Sequence, residues 1–190
     1  ECLKGMPSDK PIRVAVPVNL RPYFASNTTK NFFVMVSAEF HPTKEDYTFE
    51  EILQTVRESL KAQINKENLE KLFSYNVSNE KVWIARIAPL FLKNLAMKIV
   101  YTQSALANTT TITNIGNIGV EDVYKPYIEM FHAFLAMSKG QHIKGTICSY
   151  DDTLVFTFSY DLQDTGIQKV FFRKIAADGI EVQLDSNSGL

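Results

Sequence analysis

The stretch from Ile12 to Leu20, followed at Asn31 by the run Asn-Phe-Phe-Val-Met-Val, constrains the fold of this chain more than any other feature. Ile12, Val14, Val16 and Val18 alternate with Arg13, Ala15, Pro17 and Asn19. A period of two is the signature of a strand with one face turned to a core. Asn19 and Arg21 then share the less apolar face, and residues 31–40 read as the partner strand.

The rest of the chain is rich enough in apolar residues to bury such a sheet. Of 190 residues, 45% are hydrophobic and 12% aromatic, enough for one well-buried domain or for one half of a larger pseudo-symmetric molecule. Twenty basic residues against twenty-one acidic ones leave a formal net charge of -1, which gives no electrostatic footprint for nucleic acid or for an acidic membrane surface. The longest apolar region, Val82 to Leu106, is interrupted by Arg86, Lys93 and Lys98, so no membrane span is expected. Cys2 and Cys148 do not form a disulfide framework, and with no basic-then-apolar leader the expected location is the cytoplasm. There the acceptor patterns at Asn27, Asn76 and Asn108 would stay unglycosylated. The opening Glu1-Cys-Leu-Lys-Gly lacks an initiator Met, so residues 1–10 are expected to be a linker left by truncation, 11–185 the domain and 186–190 a tail.

Beyond the two strands, Thr48-Phe-Glu-Glu51 spells a capping box, with Tyr47 and Ile52 spaced as a hydrophobic staple. Phe49, Ile52, Leu53, Val56, Leu60 and Ile64 continue it as a helix with one apolar stripe. A short helix near residues 67–73 and a longer one over 80–106, kinked or restarted at Pro89, are expected next. Thr109 to Thr113 is a β-branched run that ends in Asn114-Ile-Gly116-Asn-Ile-Gly119. Residues 127–136 read as an apolar strand, 143–150 and 153–160 as a hairpin turning at Asp151-Asp152, and 180–184 as a last strand after a helix that stops at Gly179. The fold class expected is α/β (α+β): a two-layer sandwich of a mixed, largely antiparallel sheet of about six strands with helices on one face.

The words Val-Pro-Val-Asn-Leu-Arg-Pro-Tyr-Phe and Lys-Asn-Phe-Phe resemble the segment that opens the second half of the chloramphenicol acetyltransferase-like superfamily of CoA-dependent acyltransferases. That superfamily includes peptide-synthetase condensation domains and, closer to this chain, the alcohol acetyltransferase-like proteins. The resemblance runs from about Pro11 to Leu184 and implies the C-terminal half of such an enzyme. The implied reaction moves an acyl group from a CoA or carrier thioester to an alcohol or amine, with acyl-CoA as co-substrate and no bound cofactor. The superfamily's His-His-x-x-x-Asp-Gly motif, which supplies the general base, is not in this chain; its three histidines are His41, His132 and His142. The resemblance puts that base in an N-terminal half of the same polypeptide, so no catalytic residue is expected here and the chain alone should be inert.

The site residues implied are of two kinds. Thr111, Thr113, Asn114 and Gly116 resemble the family's Ser/Thr-Asn-x-Gly element, which faces the catalytic tunnel; hydroxyls, an amide and an open glycine backbone are neutral donors suited to a substrate carbonyl or its oxyanion. The same four residues are also ordinary strand propensity followed by ordinary turn chemistry. Asn19, Arg21 and Asn31 form an expected polar cluster where the two halves meet, with Arg21 suited to anchoring a carboxylate; the alternative is a solvated strand terminus. No metal spacing and no dinucleotide loop is present in the sequence, and Cys148 reads as a small buried apolar group.

Two rival readings remain open from sequence. One is a non-catalytic binding or scaffolding domain of the same fold; the other is a small trimeric acyltransferase with its site between subunits. An isolated half is expected to expose apolar surface, which allows a homodimer of the separate domain.

Overall fold

The alternating opening run forms β1 (Ile12–Asn19), which pairs antiparallel with β2 (Phe33–Phe40) along its whole length, from Ile12 opposite Phe40 to Asn19 opposite Phe33. A further bond from the Leu20 amide to the Phe32 carbonyl, 3.0 Å, extends the pairing by one residue. The backbone groups of even-numbered β1 residues therefore turn to β2, and those of odd-numbered residues turn to the other side, where Thr109 donates to the Arg13 carbonyl at 2.8 Å. Pro17 is odd. Its missing N–H falls outside the β2 ladder, which is why a proline is tolerated in the middle of a paired strand.

The opposite neighbour of β1 is β3 (Thr110–Asn117), in parallel orientation. That ladder consists of Val14 with Thr110 and Ala15 with Thr111 and goes no further. The next β1 residue turned toward β3 is Pro17, which has no hydrogen to donate, and the two strands continue with different partners. β3 pairs parallel with β4 (Ile143–Tyr150), and β4 pairs antiparallel with β5 (Thr153–Tyr160), giving the order β2-β1-β3-β4-β5. The β4–β5 turn is at Asp151 and Asp152, as the sequence indicates, and Asp151 takes the left-handed conformation with φ 52°.

These are observations of a computed structural model, which describes residues 10–42, 47–81, 87 and 89–187. The fold is α+β, with a mixed five-stranded sheet and helices α1 (Phe49–Gln63), α2 (Lys66–Lys81), α3 (Leu90–Leu106) and α4 (Gly166–Ala177). The described residues divide into two units, 10–161 and 162–187.

In the first unit, α1 and α2 cover the β1–β2 flank. The Thr48 hydroxyl accepts from the Glu51 amide at 3.2 Å, and the Glu51 carboxylate accepts from the Thr48 amide at 2.8 Å, so the capping box is complete. Leu20, Val34, Val36 and Leu69 form the buried centre, with Val16, Val18, Phe24, Phe32, Leu60 and Ile64 packed around it. Burying each such side chain is worth about 1.5–3 kcal/mol. Helix α1 also closes the outer edge of β2. Gln63 donates to the Ser37 carbonyl at 2.7 Å and accepts from its amide at 3.2 Å, while the Ser59 hydroxyl accepts from the Glu39 amide at 3.3 Å. An edge satisfied in this way offers little to a foreign strand.

Three sequence expectations change. Residues 127–136 are not a strand of the sheet: a single 3-10 turn, Lys125–Tyr127, leads into a segment that crosses the face of β4 instead of lying beside an edge. Its Phe131 and Ala136 carbonyls accept from the side chains of Cys148 and Lys144, bonds that only a face-on position permits. Residues 180–184 do not form a strand either, since the Ile180 amide turns back to the Ile175 carbonyl at 3.3 Å and closes the end of α4. The expected short helix near 67–73 is the longer α2, and the helical stretch over 80–106 restarts after Pro89 as α3; residues 82–86 and 88 lie outside the described ones.

Candidate active site

β3 carries the Thr-Asn-x-Gly element, and register decides which side chains it brings together. Thr111 lies opposite Lys144 and Thr113 opposite Thr146, so both threonines share a face with Lys144, Thr146, Cys148 and Tyr150 of β4 and with Thr157 and Ser159 of β5. This face is rich in hydroxyls. Thr111 donates to the Gln141 side-chain oxygen at 3.1 Å, and Gln141 itself is buried.

Asn114 belongs to the other parity. The β3–β4 register shifts between Asn114 and Gly116, and the Asn114 side-chain oxygen accepts from the Gly116 amide at 2.9 Å across that bulge. Gly116 has φ 82°, a conformation that glycine adopts without penalty and that other L residues resist. The four residues nominated from sequence thus separate by role. Thr111 and Thr113 line the hydroxyl face, while Asn114 and Gly116 build the irregularity at its end.

The second nominated cluster is only partly assembled. The Asn19 side-chain oxygen accepts from the Arg21 amide at 3.1 Å and from the Arg21 guanidinium at 3.4 Å. The guanidinium also donates to the Thr28 and Lys30 carbonyls, each at 3.0 Å. Arg21 therefore braces the loop that leads into β2, and Asn31 is an exposed residue just beyond its last contact.

Over the hydroxyl face lies a strap, residues 128–137. Phe131, Ala133, Leu135 and Met137 are half-buried and alternate with exposed His132, Phe134 and Ala136. The Cys148 thiol donates to the Phe131 carbonyl at 3.2 Å, the Phe131 ring meets Tyr150 edge-on with centroids 5.2 Å apart, and Lys144 donates to the Ala136 carbonyl at 2.7 Å and to the Ser138 hydroxyl. The turn after the strap needs Gly140, whose φ is 81° and where a Cβ would sit 2.6 Å from Leu106. Burial pushes the Lys144 ammonium below the ordinary lysine pKa. Sequence reasoning passed over Lys144 and Gln141. The available signal was the strand Ile-Lys-Gly-Thr-Ile-Cys-Ser-Tyr, in which the lysine has the parity of Thr146, Cys148 and Tyr150.

The histidines are engaged elsewhere. His41 lies 2.7 Å from Glu39, whose carboxyl is held below the usual carboxylate range by the hydrogen bond from Arg13 first and by His41 after it. His142 meets Asp161 at 2.9 Å where β4 begins and β5 ends, and His132 stacks on Phe134. No group of three metal-ligating side chains exists among the described residues, nor does any helix among them have the length and apolarity to cross a membrane. An open apolar groove runs along α1 between Leu53 and Ile64 and includes none of the nominated residues.

Together these features define a mixed-sheet α+β domain with one apolar, helix-covered flank and one hydroxyl-lined flank under a strap. The chain matches no family model, no curated protein and no solved structure.

Proposed function

We propose that this chain is the C-terminal half of a cytoplasmic acyltransferase that moves an acyl group from a CoA or carrier thioester to an alcohol or amine. The observation that carries the reading is the pairing of Thr111 and Thr113 on one face of β3, beside Thr146 and Lys144. Hydroxyl donors fixed on a strand, Thr113 foremost because Thr111 already donates to Gln141, suit a thioester carbonyl, whose oxygen gains charge as the tetrahedral intermediate forms. We assign the general base to the N-terminal half of the same polypeptide, where the resemblance to the acyltransferase superfamily implies it. That half would also cover α3, where Phe91 and Leu95 are 69% and 57% exposed; a helix apolar on all sides belongs inside a larger assembly. Separated from it, the domain would dimerise through such surface.

The test is thiol release from acetyl-CoA with a panel of alcohols and amines, comparing the full-length gene product, this chain and the full-length Thr113→Val variant. Turnover by the full-length protein alone, lowered at least tenfold in a normally folded variant, is the expected result. Absence of both turnover and acyl-CoA binding in all three would favour the non-catalytic scaffolding domain instead. The position of Asn114, closing a bulge and not facing the threonines, is the observation on that side.

A further inference from the structure

We propose that Lys144 is an acyl-accepting amine, a self-modification site at which this chain takes an acyl group from a thioester. The inference rests on the acyl-transfer reading and adds to it a covalent end point on the same sheet face. Lys144 is 7% exposed, and its amine donates to two neutral oxygens, the Ala136 carbonyl and the Ser138 hydroxyl. No carboxylate is among its hydrogen-bond or ion-pair partners in the described residues. The contrast with surface lysines is direct, because Lys71 and Lys125 lie 2.7 Å and 2.6 Å from Glu67 and Asp122 with more than half of each side chain exposed. A carboxylate and water both hold a lysine in its charged, unreactive form. A desolvated lysine with neutral neighbours favours the free amine, the form that attacks carbonyl carbon.

The surroundings of Lys144 suit that step. Thr111 on β3 and Ser159 on β5 are its register partners, so a thioester held against the threonines would place its carbonyl on the same face as the amine. Two titratable groups close to it in sequence are already committed, His142 to Asp161 and Cys148 to the Phe131 carbonyl. Lys144 first gives its ammonium proton to water. The nitrogen lone pair then attacks the thioester carbonyl, a C–N bond forms, the C–S bond breaks, and the thiolate leaves. The nitrogen gives up one proton and the thiolate gains one, so that amide and thiol are the products and no redox partner is required. Acylation would leave one N–H where the amine offers two, and so remove a donor that ties Ala136 and Ser138 to β4, which links thioester supply to the hold on the strap.

The experiment exposes the chain, alone and within the full-length gene product, to acetyl-CoA and in parallel to acetic anhydride, and maps acetylated lysines by peptide mass spectrometry. With both reagents Lys144 should be acetylated at least tenfold faster than exposed Lys139, and its share of total incorporation should vanish in Lys144→Arg. Acetylation of Lys144 no faster than Lys139 with either reagent overturns the proposal. Selectivity with the anhydride but not with acetyl-CoA overturns the thioester as its electrophile. Thiol release to added alcohols is measured separately, so loss of that activity and loss of Lys144 selectivity are distinguishable outcomes.

Discussion

The two flanks of the sheet solve the same problem in opposite ways. On the β1–β2 flank, valines face Leu20 and Leu69 under α1 and α2, and the strand edge is closed by Gln63 and Ser59. On the opposite face of the sheet, along β3–β5, the side chains are threonines, a lysine and a cysteine, and the cover is an extended strap held by side-chain hydrogen bonds to its carbonyls. Apolar packing supplies stability without directional chemistry, whereas buried polar groups cost stability unless each is bonded and are retained where they act. The seam between the flanks lies where the β1–β3 ladder stops, at Pro17. The comparison teaches that the first flank is the scaffold and the second is the place to look for a ligand.

If the first flank carries the stability, Leu69→Ala should destabilise the chain by about 2–5 kcal/mol, measured by urea unfolding, because Leu69 is 0% exposed and its loss leaves a cavity. A loss below about 1 kcal/mol would break the comparison. The parity argument predicts a sharp asymmetry between adjacent positions. Val16→Pro, which removes a donor turned to β2, should cost about 3 kcal/mol, while Pro17→Ala, at a position turned to the seam, should stay within about 1 kcal/mol. Equal effects would contradict the assignment of odd residues to the β3 side. Removing the α1 cap with Thr48→Ala should cost about 1 kcal/mol by the same measurement.

The smallest effect is electrostatic. Arg13 and His41 lower the folded-state pKa of Glu39, so its contribution is present above the unfolded carboxylate pKa and is lost as pH falls through the lowered folded value. Glu39→Gln should lower stability slightly at neutral pH and leave the acid end nearly unchanged, which flattens the acid limb of a stability-against-pH curve. A steeper acid limb would reverse the sign of the assignment.

What was legible in the sequence followed the same division. The period-two run of β1, the capping box of α1 and the Asp151 turn depend on residues close in sequence, and each forms as read. Residues 127–136 are apolar enough to read as a strand, yet an apolar run records only that the segment is covered. A strap pressed on a face and a strand inside a sheet produce the same pattern. Of the four residues nominated for their likeness to Ser/Thr-Asn-x-Gly, Thr111 and Thr113 share the hydroxyl face, but the bulge that turns Asn114 to other work depends on the register with β4. Lys144 was missed for the complementary reason, since its burial comes from Ala136 and Ser138, residues whose position only the strap's path decides.

The most direct test of a scaffold flank set against a ligand flank is amide hydrogen exchange on the protein with and without a non-hydrolysable acyl-CoA analogue. Protection is expected in residues 110–117 and 143–150 and in the strap, with α1 and α2 unchanged. Protection confined to the α1 groove, or spread evenly over both flanks, would contradict the account.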